Sequence, residues 1–457
     1  MRNCERYAGR RVLVVGMARS GVAAAQMLLK AGAKVVVNDS KTAEQLGDAI
    51  VPLQGLPVEW ALGCPAGECL DGVDVLVISP GIPDTAAFVL KAKTMGIEVT
   101  GELELASQLA EGTLVALTGT NGKTTTVSLL GEIFRLAGKR THVVGNIGYP
   151  FSAAAMESAP EDIFVCEVSS FQMETADTFH PHVGALLNIT EDHLNRHGTM
   201  ENYTATKMRL FARQGEGDAA VFNADDPALA PLMREVHSRV MTFSRQKEVP
   251  HGAFVRDGMV MLNISGKEEA VCPAEEIYIP GPHNLENALA AACMAAAMGV
   301  EIPVIAQALR TFTGVEHRIE FVRELEGVRY INDSKGTNVD STIKAVQTMQ
   351  RPTAIILGGY DKHCDFTPMV KEMVLSPYIR QAVLIGATAD QIERTCRENG
   401  FDAIRRASTL KEAVALCREA AEAGWNVLLS PACASFDMFE DYEARGRVFK
   451  EIVFSLS

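Results

Sequence analysis

The stretch LTGTNGKTTT, from Leu117 to Thr126, joins the end of an apolar strand to a glycine turn, a lysine and a run of threonines. Where such a turn opens a helix, its backbone N–H groups bind phosphate oxygens, the lysine reaches the terminal phosphates and a hydroxyl holds Mg²⁺. Leu117 stands where the usual spacing has its first glycine, but Gly122, Lys123 and Thr124 are in place. The stretch therefore predicts an α/β unit that binds ATP, and the rest of the chain must supply the group that accepts the phosphoryl.

Short apolar runs, each followed by a turn and a helical pattern, recur in three groups along the chain. Examples are RVLVVG (11–16), DIFVCEVSS (162–170) and AIILGG (354–359). Continuous apolar strands that alternate with helices are typical of parallel sheets covered on both faces. We expect three consecutive α/β domains with mostly parallel sheets: Rossmann-like at 1–101, a central P-loop ATPase domain at 102–312, and Rossmann-like again at 313–457.

Composition narrows the possible partners. The 457 residues carry a net charge of −14, which disfavours nonspecific binding to nucleic acids or membrane surfaces, since both need a basic protein. The N-terminus has no signal-peptide pattern, and no apolar run reaches the ~18 residues that span a bilayer. Ten scattered cysteines without a CxxC pair indicate reduced thiols. We expect a cytoplasmic protein.

The first glycine loop, GMARSG (16–21), follows a strand and leaves three interpretations open. A dinucleotide fingerprint needs glycine at its third position, where Ala18 stands, although Asp39 ends the next strand as a ribose ligand would. Another pyrophosphate nucleotide, such as a UDP-sugar, would use the same helix N-terminus. The loop could also be a tight turn without a ligand. A second turn, SPGI (79–82), could close on the same ligand.

Acidic and histidine side chains follow the central strands. Glu167 ends an apolar strand, where a bare carboxylate is costly unless it is paired. Asp192 and His193 lie just past LLNIT, at another strand end. HLNRH (193–197) has histidines four residues apart but lacks the glutamate of a zinc-protease helix, so we do not expect one. His193 is either structural or a metal ligand.

Seven motifs, taken in order, resemble the Mur ligases, the ATP-dependent amide ligases that build the peptide of bacterial cell-wall precursors. They are TGTNGKTT (118–125), GNIG (145–148), EVSSFQME (167–174), NITEDHLNRH (188–197), GPHNLEN (281–287), HR (317–318) and NDSKGTN (332–338). Two later segments, GGYDKHCDF (358–366) and SPACASFDMFEDYEARG (430–446), resemble the member that joins D-glutamate to UDP-N-acetylmuramoyl-L-alanine. The resemblance covers all three predicted domains.

The resemblance implies that the phosphoryl group goes to a carboxylate. ATP would phosphorylate the L-alanine carboxylate of the UDP-linked substrate, and the amine of D-glutamate would attack the acyl phosphate, releasing phosphate. Residues 1–101 would bind the UDP substrate, 102–312 would bind ATP, and 313–457 would bind the amino acid and act as a lid. The resemblance also implies a role in peptidoglycan synthesis, with two Mg²⁺ ions as cofactors. We expect a monomer, although the sequence carries no signal for the oligomeric state.

Site residues follow by matching motif positions. Catalytic roles would fall to Lys123, Glu167, His193, Lys207 and Lys335. ATP would be bound by Gly119, Thr120, Asn121, Gly122, Lys123, Thr124, Thr125, Asn284, Asn287, Arg318 and Asp333. The UDP substrate would contact Ala18, Arg19, Ser20, Asp39, Ser40, Ser79, Gly81, Asn146, Ser169 and His193. D-glutamate would contact Thr337, Lys362, Ser435, Phe436 and Tyr442.

The metal set would be Thr124 and Glu167 for one ion, and His193 and Lys207, as a carbamate, for the second. A lysine of ordinary pKa is uncharged in only about one molecule in a few thousand at pH 7, so Lys207 needs a depressed pKa or capture of the adduct by the metal. The sequence shows neither. Asn284 and Asn287 also suit a simple helix start.

Four alternatives remain at this point. A ligase of the same plan could add L-alanine instead, and a folylpolyglutamate synthetase shares the GTNGK loop but places it near its N-terminus. An NAD-dependent oxidoreductase would use the first loop and leave Lys123 unexplained. A simple ATP hydrolase would need no acyl acceptor. Ser40-Lys41 after Asp39, and Tyr442 where phenylalanine is common, depart from the family pattern.

Overall fold

The computed structural model describes residues 1–147, 149–360 and 364–456, without the side chain of Asn195, and places three β-sheets one after another along the chain. Most neighbouring strands in each sheet run parallel. The predicted class, three consecutive α/β segments with mostly parallel sheets, is confirmed.

The first sheet has five parallel strands in the order β3-β2-β1-β4-β5. Its strands are β1 (Arg11–Val15), β2 (Lys34–Asp39), β3 (Val58–Leu62), β4 (Val75–Ile78) and β5 (Glu98–Gly101). The helices of this segment are α1 (Arg19–Lys30), α2 (Ala43–Leu46), α3 (Ala87–Thr94) and α4 (Glu102–Leu109). Buried valines and leucines of β1, β2 and β4 form its core, as expected for a sheet covered on both faces.

The second sheet has nine strands in the order β14-β13-β12-β11-β10-β9-β6-β8-β7 and is parallel except where β13 pairs with its two neighbours. Its parallel strands are β6 (Thr113–Thr118), β7 (Thr141–Gly145), β8 (Ile163–Glu167), β9 (Val183–Leu186), β10 (Ala219–Asn223), β11 (Arg239–Ser244) and β12 (Gly252–Arg256). Two antiparallel strands, β13 (Met259–Ile264) and β14 (Lys267–Pro273), complete it. Its helices are α5 (Lys123–Leu136), α6 (Phe151–Ala155), α7 (Ser170–Met173), α8 (Leu194–His197), α9 (Met200–Met208), α10 (Pro282–Ala297) and α11 (Ile302–Thr311).

The third sheet has six strands in the order β15-β16-β20-β17-β18-β19, and only the pair β15–β16 is antiparallel. Its strands are β15 (Glu320–Leu325), β16 (Val328–Asn332), β17 (Thr353–Leu357), β18 (Ile379–Leu384), β19 (Ile404–Arg406) and β20 (Asn426–Leu429). The helices are α12 (Val339–Thr348), α13 (Thr367–Leu375), α14 (Ala389–Glu398), α15 (Leu410–Ala420) and α16 (Tyr442–Ser455).

Contacts divide the chain into two compact units. Met1–Tyr278 with Asn284–Phe312 form one unit, which holds the first and second sheets, and Ile279–His283 with the chain from Thr313 onward form the other. None of the helices in 1–147, 149–360 and 364–456 is both long and apolar enough to cross a membrane.

Helix α4 joins the first two sheets through buried carboxylates. Glu102 Oε1 accepts hydrogen bonds of 2.6 Å from both the backbone N–H and the hydroxyl of Ser152, which lies in α6. Glu104 Oε1 accepts one of 2.8 Å from the backbone N–H of Thr178. Burial raises the pKa of Glu102, because the charged form loses its water. Two side chains of one helix thus anchor the second sheet to the end of the first.

The turn between β1 and α1 depends on a close backbone approach. A Cβ atom at Gly21 would lie 1.8 Å from the carbonyl oxygen of Gly16. Gly16 itself has φ +95°, a left-handed conformation that favours glycine. Gly21 therefore allows the helix to pack against the strand, as the last glycine of such loops does.

We expect Gly21→Ala to destabilise the protein by about 2 kcal/mol or more, because the added methyl group overlaps backbone atoms that cannot rotate away. The measurement is the midpoint of urea unfolding. Gly217→Ala is the matched control, since a Cβ atom there meets nothing within 4 Å. Equal midpoints for the two variants would contradict the packing role.

Candidate active site

The phosphate loop lies between β6 and α5, as the sequence predicts. Gly122 caps the helix with φ +85°, and Lys123 begins the helix. The Nζ of Lys123 donates to the carbonyl oxygens of Gly119 and Thr120, at 2.8 and 2.7 Å. These bonds fold the lysine over its own loop, at the N-terminus of a helix whose dipole favours anions.

A side chain from the loop that follows β9 supports the phosphate loop from outside. Asn188 Oδ1 accepts from the backbone N–H groups of Thr120 and Asn121, at 3.1 and 2.8 Å, and its Nδ2 donates to the carbonyl of Asn121 at 3.0 Å. Both ends of one amide therefore hold the turn in place.

Thr124, in the first turn of α5, meets Glu167, the last residue of β8. The Thr124 hydroxyl donates to Glu167 Oε2 at 2.7 Å, and Asn146 Nδ2 donates to Oε1 at 3.0 Å. Thr124 and Glu167 are both buried. A hydroxyl and a carboxylate are hard oxygen donors of the kind Mg²⁺ prefers, so this pair fits the predicted first metal site chemically.

Lys207 is buried beneath the same loop. Its side chain comes from α9, is almost fully excluded from solvent, and its Nζ donates to the Gly119 carbonyl at 2.9 Å and the Thr118 hydroxyl at 3.3 Å. The ring of Tyr203 lies 4.6 Å from the nitrogen. Burial, aided by the nearby charge of Lys123, lowers the pKa of Lys207 well below its ordinary value. This is the depressed pKa that the sequence could not show.

His193 lies farther from its strand than we expected. Strand β9 ends at Leu186, and His193 is the N-cap of α8 with φ +54°. Its Nε2 lies 3.5 Å from Asp192 Oδ2, and its ring packs against that of Phe171 at 4.7 Å. Its side chain is 46% exposed, so a ligand from solvent can reach the imidazole.

Asn284 and Asn287 lie in the first turns of α10 and are buried. Asn287 Nδ2 donates to Asn284 Oδ1 at 3.2 Å, and Asn287 Oδ1 accepts from Thr126 at 3.3 Å. A Cβ atom at Gly122 would lie 2.3 Å from that same oxygen. The pair therefore packs directly against the phosphate loop.

The first glycine loop is organised by Asp39. Its carboxylate accepts from the backbone N–H groups of Met17 at 2.8 Å and Lys41 at 3.0 Å. Ser79 donates to the carbonyls of Val15 and Gly16, both at 3.1 Å. Ala18 caps α1, and Arg19 begins it. These bonds bring together the predicted UDP-binding positions of three separate strand ends.

Arg196 connects that loop region to the second sheet. Its guanidinium donates to the carbonyl of Ile82 at 2.9 Å and pairs with Glu174 at 2.6 Å. It also lies over the ring of Phe171, 4.9 Å from the centroid. The segments that contain Gly81, Ser169 and His193 therefore lie together within one compact unit.

In the second unit, Asp333 lies at the end of β16 and is fully buried. Ser430 donates to its Oδ2 at 2.7 Å, and Arg318 Nη1 lies 3.9 Å from Oδ1. Burial raises the pKa of Asp333 to about 6 in spite of the nearby arginine. Both ring nitrogens of His283, in the same unit, are buried, and neither is hydrogen-bonded to another described residue.

Arg445 joins the loops that hold Thr337 and Ser435, two of the residues predicted to contact D-glutamate. Its buried guanidinium donates to the carbonyls of Ser334 at 2.8 Å and Cys433 at 3.1 Å. Next to these loops, Lys335 Nζ lies 3.4 Å from the Tyr442 hydroxyl, and the hydroxyl of Ser435 is buried without a hydrogen-bond partner among the described residues.

Phe436 is exposed and packs edge-on against Tyr360, 6.0 Å between centroids. Thr337 donates its backbone N–H to the carbonyl of Lys335 at 2.8 Å. Lys362, predicted to bind D-glutamate, lies outside the described residues.

Four supporting residues had no predicted role: Asn188, Tyr203, Arg196 and Arg445. Asn188 and Arg196 both stand in the motif NITEDHLNRH, so the motif itself was a signal for them. Arg445 likewise stands in the quoted segment SPACASFDMFEDYEARG (430–446). Tyr203 carries no comparable signal, because its importance comes from the side chains that it contacts.

Three family models match this chain, one for each sheet. A Mur ligase MurD-like N-terminal domain matches residues 10–101, the Mur ligase middle domain matches 117–295, and the Mur ligase glutamate ligase domain matches 317–433. The chain belongs to the Mur ligase family. The predicted family and the prediction of a ligase are both confirmed.

Among its relatives is the UDP-N-acetylmuramoylalanine--D-glutamate ligase of Pelotomaculum thermopropionicum, 50% identical over 450 residues and 98% of each chain. The protein of that name from Caldanaerobacter subterraneus subsp. tengcongensis is 47% identical over 449 residues, again 98% of each chain. The solved structure of a UDP-N-acetylmuramate-alanine ligase from Thermotoga maritima shares the fold with a TM-score of 0.62 at 17% identity, over 98% of this chain and 99% of that one.

The raised pKa of Asp333 predicts a pH-dependent stability. Its folded-state pKa of about 6 lies above the ordinary 3.8, so burial of the neutral acid stabilises the fold at low pH, and this contribution is lost as the pH rises through about 6. We expect Asp333→Asn to gain up to about 3 kcal/mol relative to wild type between about pH 4 and pH 7.

Urea unfolding at several pH values measures this difference. Asp402→Asn is the control, since that side chain is 80% exposed and should give a profile parallel to wild type. If the profile of Asp333→Asn is also parallel to that of wild type, the Asp333 carboxylate stays ionised in the folded protein between about pH 4 and pH 7.

Proposed function

We propose that the protein is an ATP-dependent ligase that adds D-glutamate to UDP-N-acetylmuramoyl-L-alanine, giving ADP and phosphate, in the synthesis of peptidoglycan precursors. The observation that carries the proposal is the cluster of Thr124, Glu167 and the buried Lys207 around the phosphate loop. The similarity to ligases named for D-glutamate, over almost the whole chain, supports the choice of amino acid.

In the first step, the substrate carboxylate attacks the terminal phosphorus of ATP, and ADP leaves. A carboxylate is a poor electrophile, and phosphorylation supplies the leaving group that amide formation needs. Lys123 and the loop N–H groups bind the phosphates, whose developing charge they stabilise. Mg²⁺ held by Thr124 and Glu167 would supply further positive charge to the transferring group.

We propose that Lys207 carries a carbamate. Its uncharged amine adds to CO₂ and releases one proton, giving a buried anion. The low pKa of this lysine supports the step, because the amine is neutral in a larger fraction of molecules than an exposed lysine would be. The carbamate oxygens, which suit Mg²⁺, would then hold a second ion together with His193.

The UDP portion is assigned to the first glycine loop. The N-terminus of α1, reached through Ala18, Arg19 and Ser20, offers N–H donors to a pyrophosphate. The ordered carboxylate of Asp39 and the turn from Ser79 to Gly81 lie beside it. Asn146, Ser169 and His193 would contact the sugar and the lactoyl-alanine.

D-glutamate is assigned to the second unit. The buried hydroxyl of Ser435 has no hydrogen-bond partner among the described residues, and it can donate to a carboxylate oxygen. Thr337, Lys362, Phe436 and Tyr442 complete the proposed site. Lys335 would stabilise the charge that develops as the amine attacks. Arg318, Asp333, Asn284 and Asn287 would bind the nucleotide.

Segment roles follow the three sheets: 1–101 for the UDP substrate, 102–312 for ATP and 313–457 for the amino acid and closure. We propose that a monomer is active.

The direct test measures ADP release with UDP-N-acetylmuramoyl-L-alanine fixed and the amino acid varied. We expect turnover with D-glutamate and little with L-glutamate or L-alanine, because the acyl acceptor must place its amine at the acyl phosphate. Omission of either substrate should stop ADP release. Equal ATP consumption without them would identify a simple hydrolase instead.

Lys207→Ala should lower kcat by about a hundredfold, the loss typical when a group that orients a metal is removed. A short-chain carboxylic acid added in solution should restore part of the activity, because it can replace the carbamate oxygens. The control is Lys139→Ala, an exposed lysine just after α5, which should keep full activity. Full activity in Lys207→Ala would rule out the carbamate.

A further inference from the structure

Two thiols lie in contact in the loop that follows β3. The sulfurs of Cys64 and Cys69 are 3.8 Å apart in the segment CPAGEC, and both side chains are partly exposed. A disulfide needs about 2.05 Å between sulfurs, so the two cysteines must move closer together to form the bond. Only four residues separate the two cysteines, and bringing such near neighbours together costs little chain entropy.

We propose that Cys64 and Cys69 form a reversible disulfide, with a small disulfide such as oxidised glutathione as the oxidant, and that its closure weakens ligand binding at the first glycine loop. One cysteine thiolate attacks the oxidant and releases one reduced glutathione. The second cysteine then attacks the mixed disulfide and releases another. Two cysteine thiols lose two protons and two electrons, and one glutathione disulfide becomes two thiols.

Accessibility and proximity distinguish this pair. Cys166, Cys272, Cys293, Cys396, Cys417 and Cys433 are buried. Cys4 and Cys364 are also partly exposed, but the sulfur of Cys4 lies against the carbonyl of Met1, at 3.6 Å, and Cys364 belongs to the second unit. Burial and the neighbouring Cys64 thiol raise the pKa of Cys69 to about 11, so the exchange should be faster at higher pH, where more thiolate is present.

A single asparagine connects the thiols to the glycine loop. Asn38, at the end of β2, is buried, and its Nδ2 donates to the carbonyls of Ala61 at 2.7 Å and Cys64 at 3.1 Å. The same nitrogen lies 3.6 Å from the sulfur of Cys64 and 3.8 Å from that of Cys69. Both sulfurs therefore lie next to the side-chain amide of Asn38.

The backbone carbonyls of Asn38 and Asp39 connect the first glycine loop to the segment that carries the cysteines. The N–H of Gly16 donates to the carbonyl of Asn38 at 2.8 Å, and the N–H of Gly63 donates to that of Asp39 at 2.9 Å. Asp39 in turn holds the N–H groups of Met17 and Lys41. A shift of Cys64 toward Cys69 would therefore displace the partners of Asn38 and Asp39 together. This second half of the inference rests on the proposed binding of the UDP substrate at this loop.

The experiment exposes the full-length protein to graded ratios of reduced and oxidised glutathione at mildly alkaline pH. Acid quenching, alkylation and peptide mass spectrometry then report each cysteine. We expect Cys64 and Cys69 to lose alkylation together, in a peptide lighter by two hydrogens, while Cys4 stays alkylated. In Cys69→Ser, Cys64 should instead retain a glutathione adduct. Cys4→Ser is the matched control and should behave as wild type.

Calorimetry with UDP-N-acetylmuramoyl-L-alanine gives the second readout. Oxidation should weaken its binding by about fivefold or more, the lower end for coupled sites, and leave the affinity for ATP unchanged. The same treatment should not weaken binding to Cys69→Ser. Full alkylation of both cysteines at every ratio would overturn the disulfide, and unchanged affinity of the oxidised protein would overturn its control of the loop. If the reduced protein fails to bind the UDP substrate, the proposed function is wrong, while the mass measurement still decides the disulfide.

Discussion

The burial of the Lys207 amine behind the phosphate loop is the constraint on which the proposed chemistry depends. The nitrogen touches the carbonyl of Gly119, so the lysine and the loop share one backbone group. An exposed lysine at this position would stay charged and would repel Lys123. Burial instead favours the neutral amine, because the charged form would lose its hydration. The neutral amine is the form that can add to CO₂. Thr124 from α5 and Glu167 from β8 complete the cluster. The cluster lies at the edge of the second sheet where its parallel strands end.

That edge collects side chains from distant parts of the chain for a simple geometrical reason. Parallel strands end on the same side, so the loops after β6, β8 and β9 all open there. Asn188 uses this arrangement to fix the phosphate loop, and Asn287 packs against Gly122. The first sheet has the same plan on a smaller scale, where Asp39 and Ser79 order the turn at Gly16.

Sequence patterns located the parts of the site whose chemistry is local. The phosphate loop, Glu167 and the first glycine loop all follow continuous apolar strands, and such strands are easy to recognise. Strands such as β14 and β19 are not apparent from the sequence, because KEEAVCP and IRR are too charged or too short to show a strand pattern. The ionisation of Lys207 and of Asp333 could not be predicted, because burial depends on residues such as Tyr203 and Ser430 that are distant in sequence. The position of His193 was misjudged because β9 ends before the polar residues of LLNIT.

The carboxylates of Glu102 and Glu104 have a further consequence. By tying the first sheet to the second, they set a constant span between the turn assigned to the sugar nucleotide and the loop assigned to ATP. Under the proposed function, this fixed distance selects substrates by the length between their pyrophosphate and their free carboxylate. A longer or shorter acyl chain would hold its carboxylate out of reach of the phosphorus. Length discrimination would then arise from the helix that joins the two sheets, at a distance from every reacting atom.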